Sequence, residues 1–299
     1  MAGAVIEIQS LTKRFGSATA VDELSFRVEP GVVTGFLGPN GAGKTTTLRS
    51  LVGLVRPTSG RATFDGKSYA ELRDPLRTVG TALEAASFHP GRSARDHLRV
   101  VGAAAGIPSA RADEVLEWVG LGDAARRRVG GYSLGMRQRL GLAFALLGDP
   151  GALVLDEPIN GLDPEGIRWI RSFLRNLAAE GRTVLVSSHL LSEVQQTVDR
   201  VVIISRGRLA YQGTLDGLET GAVARVHVDA VDREALGRAL AAAGGHVEVA
   251  GDGLHVAGLD ATAIGERALA AGVPLRLLVP EREGLEQTFL ELVGEGGIR

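Results

Sequence analysis

Gly38-Pro39-Asn40-Gly41-Ala42-Gly43-Lys44-Thr45 is the stretch that decides the fold. It satisfies the spacing GxxxxGK[ST]. In that arrangement the glycines let backbone N–H groups curl around phosphate oxygens and the following helix aims its positive end at them. The lysine reaches the β and γ phosphates, and the hydroxyl ligates Mg²⁺. Val32-Val33-Thr34-Gly35-Phe36-Leu37 before it is a continuous apolar run of strand type, and 45–55 after it has helical spacing, so the order is strand, loop, helix. Among the 33 basic residues only Lys13, Lys44 and Lys67 are lysines. A lysine at this offset is therefore not a by-product of a lysine-rich chain.

Working outward, residues 1–35 alternate apolar and polar side chains, as in Val5-Ile6-Glu7-Ile8 and Leu24-Ser25-Phe26-Arg27-Val28, and read as short strands joined by turns. The stretch 93–149 reads as helical throughout, with Ser93 and Asp96 a capping pair and Ser109 capping the segment that carries Val115, Leu116 and Trp118. Alternation then resumes: 152–155, 183–186 and 201–204 are buried-type strands with helical patterns at 164–179 and 190–198 between them, the signature of parallel α/β winding. After Gly217 the pattern changes. Strands are expected at 223–229, 246–250, 253–257 and 274–279, helices at 232–243, 260–271 and 284–293, and a hairpin turn at Gly251-Asp252-Gly253. That order, βαββαβ plus a helix, fits a small α+β ferredoxin-like module. The expected division is 1–219 and 220–299, with a helical subdomain at about 86–149 in the first part.

The composition narrows the function classes. The chain has 299 residues, 33 Lys+Arg against 35 Asp+Glu for a net charge of −2, 44% hydrophobic residues and no cysteine. Its near-neutral balance argues against a protein that coats nucleic acid or an anionic membrane by charge. Without cysteine there is no disulfide framework, thiolate metal site or cysteine nucleophile. A spanning helix needs about 20 apolar residues, and the best candidate, 140–155, is cut by Gly148-Asp149-Pro150. The N-terminus shows no basic region followed by an apolar one, so the reading is a cytoplasmic chain.

Four further segments carry chemistry. Ala152-Leu153-Val154-Leu155-Asp156-Glu157 is an apolar strand ending in two carboxylates. A strand alternates its side chains, so one can hold Mg²⁺ through water while the other orients an attacking water. Pro158-Ile159-Asn160-Gly161-Leu162-Asp163 follows at once. Thr183-Val184-Leu185-Val186-Ser187-Ser188-His189 is a strand delivering one histidine at its end, and Tyr132-Ser133-Leu134-Gly135-Met136-Arg137-Gln138-Arg139-Leu140 precedes the carboxylate strand.

In this order and spacing the motifs resemble the ATP-binding cassette (ABC) ATPase family over roughly residues 4–217. The resemblance implies a P-loop NTPase fold, a RecA-like core with an antiparallel β edge and a helical subdomain. It implies that Phe15 stacks on adenine with Val21 beside it, and that Gly38, Pro39, Asn40, Gly41, Ala42, Gly43, Lys44, Thr45 and Thr46 form Walker A. Asp156 would be the Walker B aspartate, Glu157 the general base, Asp163 the D-loop aspartate and His189 the switch histidine, with Lys44 neutralising developing charge. Ser133 and Gly135 would belong to the signature segment that caps the γ-phosphate bound by the opposite subunit. Two departures stand out. Tyr132, Leu134 and Met136 replace the first, third and fifth residues of the usual LSGGQ. Glu84 stands where a glutamine is usual, a carboxylate able to join Thr45 and Asp156 around Mg²⁺ but unable to donate a hydrogen bond.

This pair of variants is similar to bacitracin- and lantibiotic-type exporters. The resemblance therefore implies an ATP-hydrolysing subunit, dimeric around two ATP with Mg²⁺, that sits peripherally on the inner face of the membrane. There it would drive a separate integral-membrane permease exporting a drug or peptide antibiotic, with no nucleic acid partner. The alternative is a soluble ABC ATPase of ribosomes or DNA, which usually carries two cassettes, coiled-coil insertions or basic arms; a P-loop kinase would leave the signature and D-loop segments unexplained. Of the remaining residues, His89, His97, His227, His246 and His255 show no metal-ligand spacing. Arg126-Arg127-Arg128 reads as a solvated helix end, Trp118 and Trp169 as core. The C-terminal part reads as a packing or dimerisation module rather than a sensor.

Overall fold

The computed structural model describes residues 3–83, 88–220, 225–251, 253–281 and 285–294. Its contacts group into two bodies, one running to Thr214 and rejoined from Leu292, the other spanning Leu215–Glu291.

The first body opens with β1 (Ile6–Phe15) and β2 (Ala18–Val28), then β3 (Val33–Leu37) and α1 (Lys44–Leu51). β4 (Ser59–Phe64) joins the first two in an antiparallel sheet of order β2-β1-β4. α2 (Pro75–Thr78) and β5 (Val79–Ala82) lead into three helices, α3 (Ala94–Ala104), α4 (Ala110–Trp118) and α5 (Leu134–Leu146). β6 (Ala152–Leu155), α6 (Pro164–Ala179), β7 (Thr183–Ser188), α7 (Leu191–Val194), β8 (Arg200–Ser205) and β9 (Arg208–Thr214) complete it. The main sheet has the order β5-β6-β7-β3-β8-β9, parallel from β5 to β8 with β9 antiparallel at the edge. β3, β6 and β7 are covered on both faces and buried at every position, so the few polar side chains they carry, such as Thr183 and Ser187, lie in the interior. α6 turns one stripe inward, Ile170, Leu174 and Leu177, at spacings of four and three.

This winding is what builds a site. Leu155 is paired with Val186 and Leu37 with Ser188, so Asp156 leaves β6 level with Ser187 and Gly38 leaves β3 just beyond Ser188, both at the C-terminal edge of the sheet.

Several sequence expectations change. The stretch 93–149 is not helical throughout, because Gly106 and Gly120 take φ of 66° and 70° and separate three helices. Ser93 does cap α3, accepting from Asp96 N at 3.1 Å, but Ser109 is itself helical and makes no capping bond. The helix expected at 190–198 lasts only through α7, after which Thr197 N bonds Val194 O in a tighter turn. β5, just before Glu84, is a strand absent from the expected set, and Gly80 lets α5 press onto it, since a Cβ there would meet Ala145 O. Trp118 is 45% exposed with the Arg111 guanidinium 4.4 Å over its ring. Trp169, half-buried, lies between Arg139 and a stacked Phe173. Arg126, Arg127 and Arg128 are exposed, in the turn between α4 and α5 rather than at a helix end.

The second body begins with α8 (Leu215–Thr220), continues through β10 (Arg225–Ala230), α9 (Arg233–Ala242), β11 (His246–Ala250), β12 (Gly253–Ala257), α10 (Ala261–Ala270) and β13 (Leu275–Glu281), and runs into α11 (Leu285–Gly294). The antiparallel sheet β11-β12-β10-β13 is the ferredoxin-like order. Val226, Val228, Leu236, Leu240, Leu254, Val256 and Ile264 form its core. Asp232 and Asp260 cap α9 and α10, each accepting from the amide three residues on.

Candidate active site

The loop between β3 and α1 is shaped by glycines in two ways. Gly43 has φ 104°, and a Cβ there would sit 2.4 Å from Ala20 O; Gly38 would place one 2.4 Å from Ile204 O. Both positions exclude any side chain. Pro39 and Thr46 are half-buried, Asn40 and Gly41 exposed, and Ala42 buried. Lys44 opens α1 with its ammonium on the loop's own carbonyls, 2.6 Å from Gly38 O and 3.3 Å from Pro39 O, and 3.8 Å from Glu157 Oε1. Burial holds its pKa below the ordinary 10.5, a shift the charges of Glu157 and then Asp156 oppose. Phosphate oxygens are anionic acceptors of the kind this ammonium requires.

Asp156 and Glu157 leave β6 on different headings. Asp156 accepts from Thr45 Oγ1 at 3.0 Å and from Ser187 Oγ. Thr45 and Asp156 thus present neighbouring oxygens of the type a small divalent cation takes, which fits Mg²⁺. Glu84 lies outside the described residues. Glu157 adopts φ 49°, a conformation rare for a side chain of its size and held here by its N–H bonding Ser187 Oγ at 2.9 Å. Its Oε2 lies 3.0 Å from His189 Nδ1. Lysine, carboxylate and imidazole are therefore in one line of contact. Glu193 approaches as well: one ligand atom each of Glu157, His189 and Glu193 lies within 4.8 Å of the others, and Ser188 Oγ is bonded to Glu193 Oε2 at 2.9 Å.

Not every expected residue gathers there. Ser133 caps α5 by accepting from Met136 N at 3.3 Å, and Asp163 caps α6 by accepting from Gly166 N at 2.8 Å. These two line a cavity of about 570 Å³ together with Gly135, Gly161 and Leu162. The carboxylates face another, of about 260 Å³, bounded by Leu83, Leu134, Gln138 and Asn160. Phe15 is 53% exposed with Lys13 Nζ 4.8 Å over its ring, open to a stacking partner. Val21 is fully buried; its Cγ2 stands 3.4 Å from where a Gly43 side chain would begin, so it backs the loop instead of offering surface.

Ser187 was missed by sequence reasoning and is central: one hydroxyl holds both carboxylate residues. The available signal was the pairing of the two apolar strands, 152–155 and 183–186, which sets the residues that follow them side by side. Gln138, whose Nε2 bonds Asn160 O at 3.3 Å, had no such signal.

A family model described as ABC transporter matches residues 21–160, and a second, Domain of unknown function (DUF8746), matches 224–286. The bacitracin transport ATP-binding protein of Bacillus licheniformis is 45% identical over 218 residues, 72% of this chain and 71% of that protein. Its namesake from Enterococcus faecalis is 35% identical over 301 residues, 98% of each. A solved ATP-binding subunit of an ABC transporter superposes with a TM-score of 0.66 at 26% identity, covering 73% of this chain and 92% of that one. With a glycine-shaped phosphate loop, paired carboxylates and a histidine held in one hydrogen-bonded cluster, and relatives at this identity, the chain belongs to the ABC transporter ATP-binding proteins and is an ATPase.

Proposed function

We propose that this ATPase powers an export system for a drug or peptide antibiotic, two copies closing around two ATP and driving a separate integral-membrane permease from the inner face of the membrane. The observation that carries the hydrolytic part is the contact line Lys44–Glu157–His189 at the mouth of the phosphate loop. Glu157 takes the proton of the attacking water. His189, donating to Glu157 from Nδ1, fixes that carboxylate and leaves its other ring nitrogen for the γ-phosphate and the water. Lys44 neutralises charge as it spreads onto the transferred phosphoryl oxygens. Thr45 and Asp156 would hold Mg²⁺, which would supply positive charge to offset that of the phosphates.

Dimerisation is supported by the separation of the two cavities. Ser133, Gly135 and Asp163 line one and Asp156 and Glu157 the other, with Leu134 on the wall of both, an arrangement in which a second copy can supply the cap. For the permease, a cleft of about 460 Å³ between β5, α3 and α5, lined by Leu54, Val101 and Phe144 among others, offers an apolar seat. No helix among the described residues is long and apolar enough to cross a membrane. The export reading rests on the relatives named for bacitracin transport, one of them along its whole length.

Glu157→Gln tests the mechanism. It should bind ATP, lose turnover by about 10³-fold or more, and accumulate an ATP-dependent dimer in gel filtration; turnover near that of the parent removes the assignment of the base. Affinity isolation of this chain from solubilised native membranes should bring an integral-membrane permease with it. Recovery of ribosomes or DNA instead would favour the soluble alternative.

A further inference from the structure

Two edges bound the C-terminal sheet, and the chain treats them differently. β13 carries Pro280 opposite Val226 and a register shift beside Ala230, a missing N–H and an irregularity, two of the devices that blunt a free edge. β11 has neither. It pairs with β12 through five consecutive positions without a shift and holds no proline or lysine. His246, Glu248 and Val249 along it are exposed, Val249 at 82%, while Val247 is half-buried against the core under the helices. A regular, uncovered strand edge is a template for another strand.

We propose that β11 pairs with β11 of a second copy, antiparallel about a twofold axis through Val247, joining the two C-terminal sheets. The register follows from chemistry. β11 and β12 are joined by two residues, so Ala250 and Gly253 flank the connection and exchange hydrogen bonds with each other; by alternation Glu248 and His246 bond inward too. Val247 and Val249 then turn their N–H and C=O outward, and only outward-facing residues can oppose one another across the new edge. Two registers align five residues. One, with the axis at Glu248, sets that carboxylate against its own copy, like charges directly opposite. The other, with the axis at Val247, sets His246 against Glu248 of the partner subunit, twice. Both are exposed, and an imidazole N–H donates to a carboxylate whether or not the ring is charged. Glu248 lies 3.9 Å from Arg225 through one oxygen, which leaves the second for the histidine. Val247 meets its own copy on the opposite face and exchanges both backbone bonds with it. Gly245, whose N–H is committed to Leu240 O, still accepts through its carbonyl from Val249 of the partner subunit.

The contact is self-complementary, as a twofold interface must be, and the asymmetry between the two edges is what a chain with one working edge requires. Five residues a side bury too little for a stable dimer alone, so association is weak and needs no nucleotide.

The absence of cysteine makes the test clean. Opposed residues of a hydrogen-bonded antiparallel pair have Cα atoms about 5.5 Å apart, inside the disulfide range. In the full-length protein, without nucleotide and under mild oxidation, Val247→Cys should form a covalent dimer about tenfold faster than Leu269→Cys, an exposed position in the same body. Glu248→Lys added to Val247→Cys should slow the reaction about threefold to tenfold, and His246→Glu added to that pair should restore it by reversing both charges. If Val247→Cys fails to fold, mixed His246→Cys and Glu248→Cys chains should cross-link to each other faster than either does to itself. A Val247→Cys thiol that alkylates freely yet dimerises no faster than Leu269→Cys overturns the pairing. Faster dimerisation of Glu248→Cys overturns the register.

Discussion

Replacing Ser187 with alanine separates the two carboxylate residues that the fold holds together. Ser187 is fully buried, gives its hydroxyl proton to Asp156 and takes the N–H of Glu157 at 2.9 Å. The bond to a charged carboxylate contributes about 1.5–3 kcal/mol, and leaving the Glu157 N–H unpaired costs about 1–3 kcal/mol. Glu157 also stands at φ 49°, a strain of about 1–3 kcal/mol that persists only while its surroundings impose it. Without the serine, the arrangement in which Glu157 touches both Lys44 and His189 loses roughly 2–4 kcal/mol relative to relaxed alternatives. At about 1.4 kcal/mol per factor of ten, half of that loss reaching the reaction lowers kcat by about tenfold, and all of it by about thirtyfold to several hundredfold. Lys44 and the phosphate loop do not touch Ser187, so KM for ATP should move less than about threefold. Phosphate release measured across ATP concentration gives both numbers. Thr183→Val is the control for stability, since Thr183 is buried in the same strand and bonds Ala4 O at 2.7 Å, far from the carboxylates; it should lower the melting temperature without changing kcat. A Ser187→Ala enzyme with kcat within twofold of the parent, or with the whole effect in KM, would refute the reasoning.

Gly43→Ala combines φ 104° with a methyl group 2.4 Å from Ala20 O, so the loop must move; fluorescent ATP binding should fall by at least about tenfold, and unchanged affinity would count against the cradle. His97 sits between Phe88 and Phe144, and burial first, then Arg92 and His89, hold its pKa below 6.5. Below pH 6.5 the unfolded chain takes up a proton there more readily than the folded one, so stability should fall as acidification proceeds from 6.5 through the lower folded value. Urea melts of His97→Gln should show a shallower fall over that window, and equal slopes would deny the effect. Leu174→Ala, at a fully buried position of α6, should cost about 2–5 kcal/mol in denaturant unfolding, whereas Leu254→Ala in the core of the second body should lower that body's transition and leave ATP turnover unchanged.

What the sequence discloses follows the distance over which each feature is determined. The phosphate loop is local: its glycines, Lys44 and Thr45 act within eight residues, and a spacing rule suffices to find them. The pairing of Asp156 with Glu157 and the cap at Ser93 are local in the same sense. α6 was legible to the residue because Pro164 opens it and its apolar stripe runs unbroken. β4, β5 and β9 were not. β5 is four residues with two glycine or threonine positions, and it is a strand only because β6 lies beside it. β9 is half-exposed along its length and exists by pairing with β8. Trp118 and Trp169 were read as core from their apolar neighbours, but each lies under a guanidinium: Arg111, two turns earlier on the same helix, covers Trp118, and Arg139 reaches Trp169 from α5, a contact between segments with no counterpart in periodicity.

The same division runs through the site. Lys44, Glu157 and His189 could each be named from its own strand and loop, yet their contact depends on β6 and β3 ending within two residues of each other along β7, which only the order and register of the sheet determine. Ser187 belongs wholly to that second kind of information. Its neighbours in sequence are apolar strand residues and a second serine, and nothing local distinguishes it. Once β7 is placed between β6 and β3, its hydroxyl is the group that reaches both Asp156 and the Glu157 amide, and the left-handed backbone of Glu157 has a cause. A residue that ties the Asp156 carboxylate to the backbone of Glu157 is thus invisible to motif and explicit in register, and its substitution should act on kcat more than on KM for ATP.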